Sequence, residues 1–479
     1  MTPPPHPEAR RGVALGVVIL SVTGLLLARG GVAPHASPSD RSVDEPPQAF
    51  AAAPPTRERA TRAEFSRGLV SGSVALSHGK LLAGGTRSMF LELRARGRGD
   101  EQARAPLAMV LVVDTSGSMA GPKIVDARRA AAAAIDEMQD DDLVSVVRFS
   151  DDAEVLVPLG RVADVRARAR GAVERLHAAG NTNISRAVEA AAAELSKAGQ
   201  GRATRVALVT DGRDTSGAPR GAAATIARRE SSRGVTVSTL GIGVDYDDAY
   251  LADLASAGHG NYEFMRDASA LGRFLSRELR ETAHTSARRV AFDLELPPGA
   301  RVRDVWGATV DGSRITLGAL FAGDERRVIV PIEVPVGASG EALTFGARVS
   351  WLAADARVVE VATERLEATA TSDQAAVEEG RDARVHAAVT SVESSRRSAE
   401  AAAAFERGDR ATAIALNDQS RRALAQAAAA APSEARGLGA QARAYEGDAK
   451  TYRASPPAPA AARAIGARER SNLPRAAAY

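Results

Sequence analysis

Asp114, Ser116 and Ser118 place one carboxylate and two hydroxyls at alternate positions of the segment Asp114-Thr115-Ser116-Gly117-Ser118. The segment follows the apolar run Leu111-Val112-Val113 and precedes a helix expected to begin near Pro122. All three donors are oxygens, which suits a hard divalent cation. Mg²⁺ takes near-octahedral oxygen ligands at roughly 2.0–2.1 Å and usually keeps some waters. By itself the segment also fits a helix cap, because Asp and Ser at a strand–helix turn satisfy free backbone N–H groups. Two further segments favour the cation. Gly180-Asn181-Thr182-Asn183 stands in a loop before a helical stretch and offers the Thr182 hydroxyl. Thr210-Asp211-Gly212 closes a later apolar run and offers the Asp211 carboxylate.

Donors from three distant loops meet only if a scaffold brings their loops to one edge. Residues 105–283 supply its pattern. The apolar runs AMVLVVD, LVSVVRFS, AEVLVPL, RVALVTDG and VTVSTLGIG alternate with the helical stretches IVDARRAAAAAIDEM, ISRAVEAAAAELSKA, AAATIARRESS and AYLADLASA. Near-continuous Val/Leu runs imply strands covered on both faces, so a doubly wound α/β domain with a mostly parallel sheet is expected. In such sheets ligands gather at the carboxyl ends of the strands, where the donor segments fall. Residues 62–104 and 284–373 read as β-rich on either side, in runs such as LVSGSVALS, SMFLELRARG and RRVIVPIEVPV. Domain termini often lie close together. We therefore expect these two segments to form one β-sandwich into which the α/β domain is inserted.

Residues 374–453 are Ala, Glu and Arg rich with helical spacing, broken at Gly408-Asp409 and Pro432-Ser433, which predicts three helices. The first break resembles a helix-hairpin turn, but one hairpin does not make a repeat array. Residues 454–479, with SPPAPAAARAIG, read as an unstructured tail. At the other end, Arg10 and Arg11 precede an uncharged run from Gly12 to Ala28. Basic residues before a short apolar segment hold the N-terminus in the cytoplasm while the following chain crosses. Residues 1–30 are therefore expected to be a signal peptide or an N-terminal membrane anchor, followed by a Pro-, Ala- and Ser-rich tether over 31–61. The expected location is outside the cytoplasmic membrane, anchored and facing the periplasm or exterior, or secreted where the leader is cleaved.

The pattern DxSxS, a later Thr and a later Asp in strand–helix context resembles the metal-ion-dependent adhesion site of von Willebrand factor type A domains. The words VLVVDTSGSMAGPKI, LVSVVRFSD, NTNI, ALVTDG and LGIGVDYDDAYLADLASAGHGNY carry the likeness over about 180 residues. Asn181 departs from it, standing where many relatives have Gly. The resemblance implies that Ser116, Ser118 and Thr182 hold Mg²⁺, or Mn²⁺ or Ca²⁺, directly or through waters, with Asp114 and Asp211 as ligands or water-mediated partners. Few carboxylates then surround the ion, which leaves a position for an Asp or Glu of a protein partner. The broader likeness is to bacterial A-domain proteins similar to inter-alpha-trypsin inhibitor heavy chains or calcium-activated chloride channel regulators. No second long apolar run suggests a pore. The Ala/Arg-rich composition suits a GC-rich bacterium.

Composition narrows the alternatives. Nucleic-acid binding needs clustered positive charge and usually stacking aromatics. With 62 basic against 59 acidic residues and 4% aromatics, neither stands out. Cysteine is absent, which excludes disulfides, thiolate metal sites and thiol catalysis. HExxH, GxSxG, Walker and strand-linked GxGxxG motifs are missing, so no enzyme is expected. Asp140-Asp141-Asp142 reads as a solvated helix-to-strand turn rather than a second cation site. Asp245, Asp247 and Asp248 suit a helix start, and His259 reads as structural. Asn183-Ile184-Ser185 is a glycosylation sequon by coincidence of position. The expected function is a divalent-cation-dependent protein-binding module for adhesion or complex assembly. An envelope scaffold docking through the C-terminal helices is the alternative, and a metal-dependent hydrolase is disfavoured.

Overall fold

The computed structural model describes residues 60–99, 104–199, 201–243, 247–265, 271–353, 359–454 and 459–472. The leader, most of the tether and Asp245 lie outside the described residues. Among the described residues no helix is long and apolar enough to cross a membrane.

The chain opens with β1 (Arg62–Arg67), β2 (Val70–Leu76), β3 (Lys80–Leu82) and β4 (Thr86–Gly97). It then enters an α/β unit through β5 (Leu107–Asp114), α1 (Pro122–Glu137), β6 (Leu143–Phe149) and β7 (Ala153–Arg161). Next come α2 (Val162–Glu174), α3 (Ile184–Leu195), β8 (Ala203–Thr210), α4 (Ala222–Ser232) and β9 (Val235–Ile242). α5 (Asp248–Ala257), β10 (His259–Met265) and α6 (Leu271–Ala283) complete the unit. A second β-rich stretch follows: β11 (Thr285–Glu295), β12 (Arg301–Val302), β13 (Thr309–Asp311), β14 (Arg314–Phe321), β15 (Glu325–Pro335), β16 (Ala342–Ala353) and β17 (Val359–Thr371). The helices α7 (Gln374–Glu379), α8 (Ala383–Glu406), α9 (Arg410–Ala430), α10 (Ala435–Arg453) and α11 (Pro459–Asn472) end the described chain.

The central sheet runs β10-β9-β8-β5-β6-β7, parallel throughout except for the antiparallel edge strand β7. Every residue of β5 is buried. Its side chains alternate between faces: Met109, Leu111 and Val113 pack against α1, α2 and α6, whereas Ala108, Val110 and Val112 pack against α3, α4 and α5. That two-sided burial explains why the strand reads as an unbroken apolar run.

The two β-rich segments meet in one sandwich. One sheet runs β1-β2-β4-β15-β12 and the other β13-β14-β11-β16-β17-β3. β4 pairs with β15 along its length, from Thr86 opposite Pro335 to Arg96 opposite Glu325. Because β4 precedes the α/β unit and β15 follows it, the unit lies between strands of one sheet. Phe65, Leu91, Leu93, Phe292, Val330, Phe345 and Trp351 fill the space between the sheets.

Two sequence expectations need correction. The stretch read as an unstructured tail contains α11, with Pro459 at its first turn, where proline's missing N–H costs nothing. α11 buries Ala462 and Ile465 beside Phe405 and Tyr452, and Ala467 beside the α/β core. Its order comes from docking, which local composition does not reveal. The C-terminal region also carries the short α7 besides the three helices expected, while the breaks fall at Gly408 and Pro432 as read.

Candidate metal centre

β5 and β8 are neighbours with Val113 opposite Val209, which brings the ends of both strands to the same sheet edge. Asp114 closes β5 there, and Thr210-Asp211 closes β8. The third loop is tied to the first by the backbone. Gly117 N donates to Gly180 O at 2.9 Å, and Ala179 N donates to Thr115 O at 2.7 Å. Gly180 holds a left-handed φ of 84°, and a Cβ there would collide with the Asp151 carboxylate. Glycine is therefore needed at the turn that presents Thr182.

The five expected residues occupy one small region. Ser116 Oγ lies 3.1 Å from Ser118 Oγ, and Ser118 Oγ donates to Asp211 Oδ1 at 2.7 Å. Asp114 accepts the Ser116 N–H at 2.7 Å on Oδ1 and the Thr210 hydroxyl on Oδ2. Thr182 is fixed by its own backbone: its N–H donates to Thr215 Oγ1 at 3.1 Å, and its carbonyl accepts Thr215 N at 2.9 Å. Asp114, Ser116, Thr182 and Asp211 are buried, whereas Ser118 is exposed. Burial pushes the Asp114 carboxyl up to about 6, with a smaller upward push from Asp211; the Thr210 and Ser116 hydrogen bonds oppose the rise.

A test of fit for a cation is the space these oxygens enclose. A Cβ built on Gly212 would stand 2.9 Å from Thr182 Oγ1, 3.5 Å from Ser118 Oγ and 3.6 Å from Asp114 Oδ2. Oxygens from the first and second loops therefore face one hollow beside Gly212 of the third, which glycine leaves open. The donors are two carboxylates and three hydroxyls. No group of three or more His, Cys, Asp or Glu side chains able to hold a metal occurs among the described residues. The set is thus hard, oxygen-only and poor in charge, and it fits a small divalent ion.

Three participants were missed as such in the sequence. Thr210 donates to Asp114, and the Lys123 ammonium donates to Asp211 Oδ2 and to Ser118 O, the latter at 3.3 Å. Both residues lie within the motif words, but their roles depend on partners about ninety positions away. Asp151 shapes the Thr182 loop, accepting from Asn181 Nδ2 at 2.6 Å. The Asn181 hydrogen bonds hold its carboxyl below the usual range.

The sequence profile of the von Willebrand factor type A domain matches residues 108–277, which include all five donors. Residues 108–277 are a von Willebrand factor type A domain. An uncharacterized protein of Synechocystis, sll0103, is 28% identical over 203 residues, covering 42% of this chain and 48% of its own length. Inter-alpha-trypsin inhibitor heavy chain H4 of Sus scrofa is 29% identical over 227 residues, 46% of this chain and 24% of its own length. The chain thus matches less than half the length of either relative. A solved structure of a von Willebrand factor type A protein from Catenulispora acidiphila shares the fold with a TM-score of 0.63. That likeness covers 84% of this chain and 91% of that chain at 22% identity. A domains are commonly metal-dependent protein-interaction modules.

The other motifs resolve structurally. Asp142 is fully buried rather than solvated. It pairs with Arg104 (Nη1 to Oδ1, 2.9 Å) and accepts Leu107 N at 3.1 Å and Gln139 N at 2.9 Å. Those partners correct the expectation of a solvated turn at that position; Asp140 and Asp141 remain exposed. Asp247 caps α5 by accepting Tyr250 N at 3.0 Å. Asn183 caps α3 by accepting Arg186 N at 3.2 Å. His259 has a structural role, bonded to Ser231 Oγ of α4 and, through Nε2 at 2.5 Å, to Thr309 Oγ1 of β13.

Proposed function

We propose that this chain is a divalent-cation-dependent protein-binding module whose A domain captures an acidic residue of a partner. The hollow at Gly212, faced by oxygens of Thr182, Ser118 and Asp114, carries the reading. Ser116, Ser118 and Thr182 would hold Mg²⁺ or a similar ion through their hydroxyls, with Asp114 and Asp211 supporting them. When bound, the ion supplies a positive charge able to accept one more oxygen ligand, from a partner's Asp or Glu. The protein's own residues do the rest. Asp114 orients the first loop through Ser116 N, and Asp211 orients Ser118. The Gly117–Gly180 link keeps the Thr182 loop in register with both.

The Arg10-Arg11 pair ahead of the uncharged run from Gly12 to Ala28 supports a location outside the cytoplasmic membrane. The scaffold alternative is less favoured, because the C-terminal helices use apolar faces internally. α8 packs Val385, Ala388, Val389 and Val392 against Ala75 and Ile329 of the sandwich, and α11 covers part of the A domain.

The test is binding of a partner pool from envelope extract to the immobilised chain in Mg²⁺ or in chelator, with Asp211→Ala alongside. The proposal expects capture that requires Mg²⁺ and fails in the variant, whose circular dichroism spectrum in chelator shows that it is still folded. Equal capture in Mg²⁺ and chelator would refute it.

A further inference from the structure

Lys123 sits in the first turn of α1, and its ammonium reaches the donor cluster from the solvent side. It donates to Asp211 Oδ2, while the other oxygen of the same carboxylate accepts from Ser118 Oγ at 2.7 Å. Asp211 is buried, so its charge is poorly screened by water, and the ammonium is its direct counter-ion. The lysine end lies against Gly243, whose backbone holds a left-handed φ of 84° after β9. A Cβ on Gly243 would come 3.8 Å from Lys123 Nζ and 3.9 Å from Cε.

Among the described residues, the charged groups seen in hydrogen-bond contact with the cluster are two carboxylates, Asp114 and Asp211, and the Lys123 ammonium. Without the lysine, two carboxylates would cancel a divalent ion. With it, the loaded cluster keeps a net positive charge. We infer that Lys123 is a specificity-determining residue: a tethered counter-ion that weakens the hold on the metal and strengthens the hold on a partner's carboxylate. The inference rests on the metal-binding reading proposed above and names what sets its selectivity. Lys123 opposes the ion by like-charge repulsion, yet it adds attraction for any anion arriving at the open side. A polar, uncharged residue at 123 would lose both electrostatic effects.

The experiment compares wild type with Lys123→Gln in the full chain. Mn²⁺ binding is followed by the loss of the free-ion electron paramagnetic resonance signal. Glutarate, a simple dicarboxylate probe, is then titrated into the Mn²⁺-saturated protein and followed by water-proton relaxation. We expect Lys123→Gln to bind Mn²⁺ on the order of tenfold more tightly and glutarate on the order of tenfold more weakly, each as expected for removing one nearby charge. Mn²⁺ affinity that is unchanged or weaker in the variant overturns the inference, and so does unchanged glutarate affinity. Failure of the wild type itself to bind Mn²⁺ would instead remove the metal-site reading beneath it.

Discussion

Adding a single methyl group at Gly212 tests the geometry of the site without touching any donor. A Cβ there would stand 2.9 Å from Thr182 Oγ1, well inside the ~3.5 Å at which unbonded heavy atoms rest. The same methyl would lie 3.5 Å from Ser118 Oγ and 3.6 Å from Asp114 Oδ2. A bound Mg²⁺ requires its oxygens at roughly 2.0–2.1 Å, so methyl and ion compete for one hollow. Gly212 is not among the positive-φ glycines, so the effect comes from volume rather than backbone strain. For Gly212→Ala we expect at least ~100-fold weaker Mn²⁺ binding, about 2.8 kcal/mol. The metal-free fold should lose only about 1–2 kcal/mol from overpacking. Calorimetric titration with Mn²⁺ reads the first quantity and urea unfolding in chelator the second. Metal at about 100 times the wild-type dissociation constant should stabilise the wild type by about 2.7 kcal/mol and the variant by no more than about 0.4 kcal/mol. Gly221→Ala, where a Cβ meets nothing within 4 Å, is the control and should bind as wild type. Wild-type Mn²⁺ affinity in Gly212→Ala would refute the reasoning.

Other outcomes follow from the same structure. Asp142→Ala leaves the Arg104 guanidinium and two backbone N–H groups without their buried partner, and should cost about 3–5 kcal/mol in denaturant unfolding. Burial holds the His259 imidazole down at about 4, against 6.5 when unfolded, with nearby Arg326 adding to the effect. Between those values the unfolded chain binds the extra proton, so stability is intact above pH 6.5 and falls on acidification towards pH 4. The slope contributed by this group is up to about 1.4 kcal/mol per pH unit, and His259→Gln should flatten the measured pH–stability curve over that window. Deleting residues 459–479 should lower the melting temperature and raise dye binding to newly exposed apolar surface around Phe405 and Tyr452, while Mn²⁺ affinity stays as in the full chain.

The sequence displayed what depends on local pattern. β5 and β8 are readable because two-sided burial leaves unbroken apolar runs, and the proposed donors because Asp, Ser and Thr cluster in short words beside those strands and before α3. α2, β10 and α6 were not read. α2 is Arg-rich, α6 carries charge on most of its turns, and β10 owes its strand state to pairing with β9. The burial of Asp142 depends on Arg104, 38 positions away. Likewise Arg205, almost fully buried in β8, pairs with Glu278 at 2.5 Å and stacks on Phe321 of the sandwich at 5.0 Å. No local spacing signals such a pairing. α11 reads as tail because prolines and alanines carry little pattern, while its order resides in the surface it covers. Long-range partnership, rather than composition, separates what was legible from what was not.

The most direct measurement is anomalous diffraction at the manganese edge from crystals of the chain soaked in Mn²⁺. One strong peak is expected among the hydroxyl oxygens of Ser116, Ser118 and Thr182, absent from crystals of Gly212→Ala. Soaked wild-type crystals with no peak there, or with manganese bound only elsewhere, would contradict this expectation.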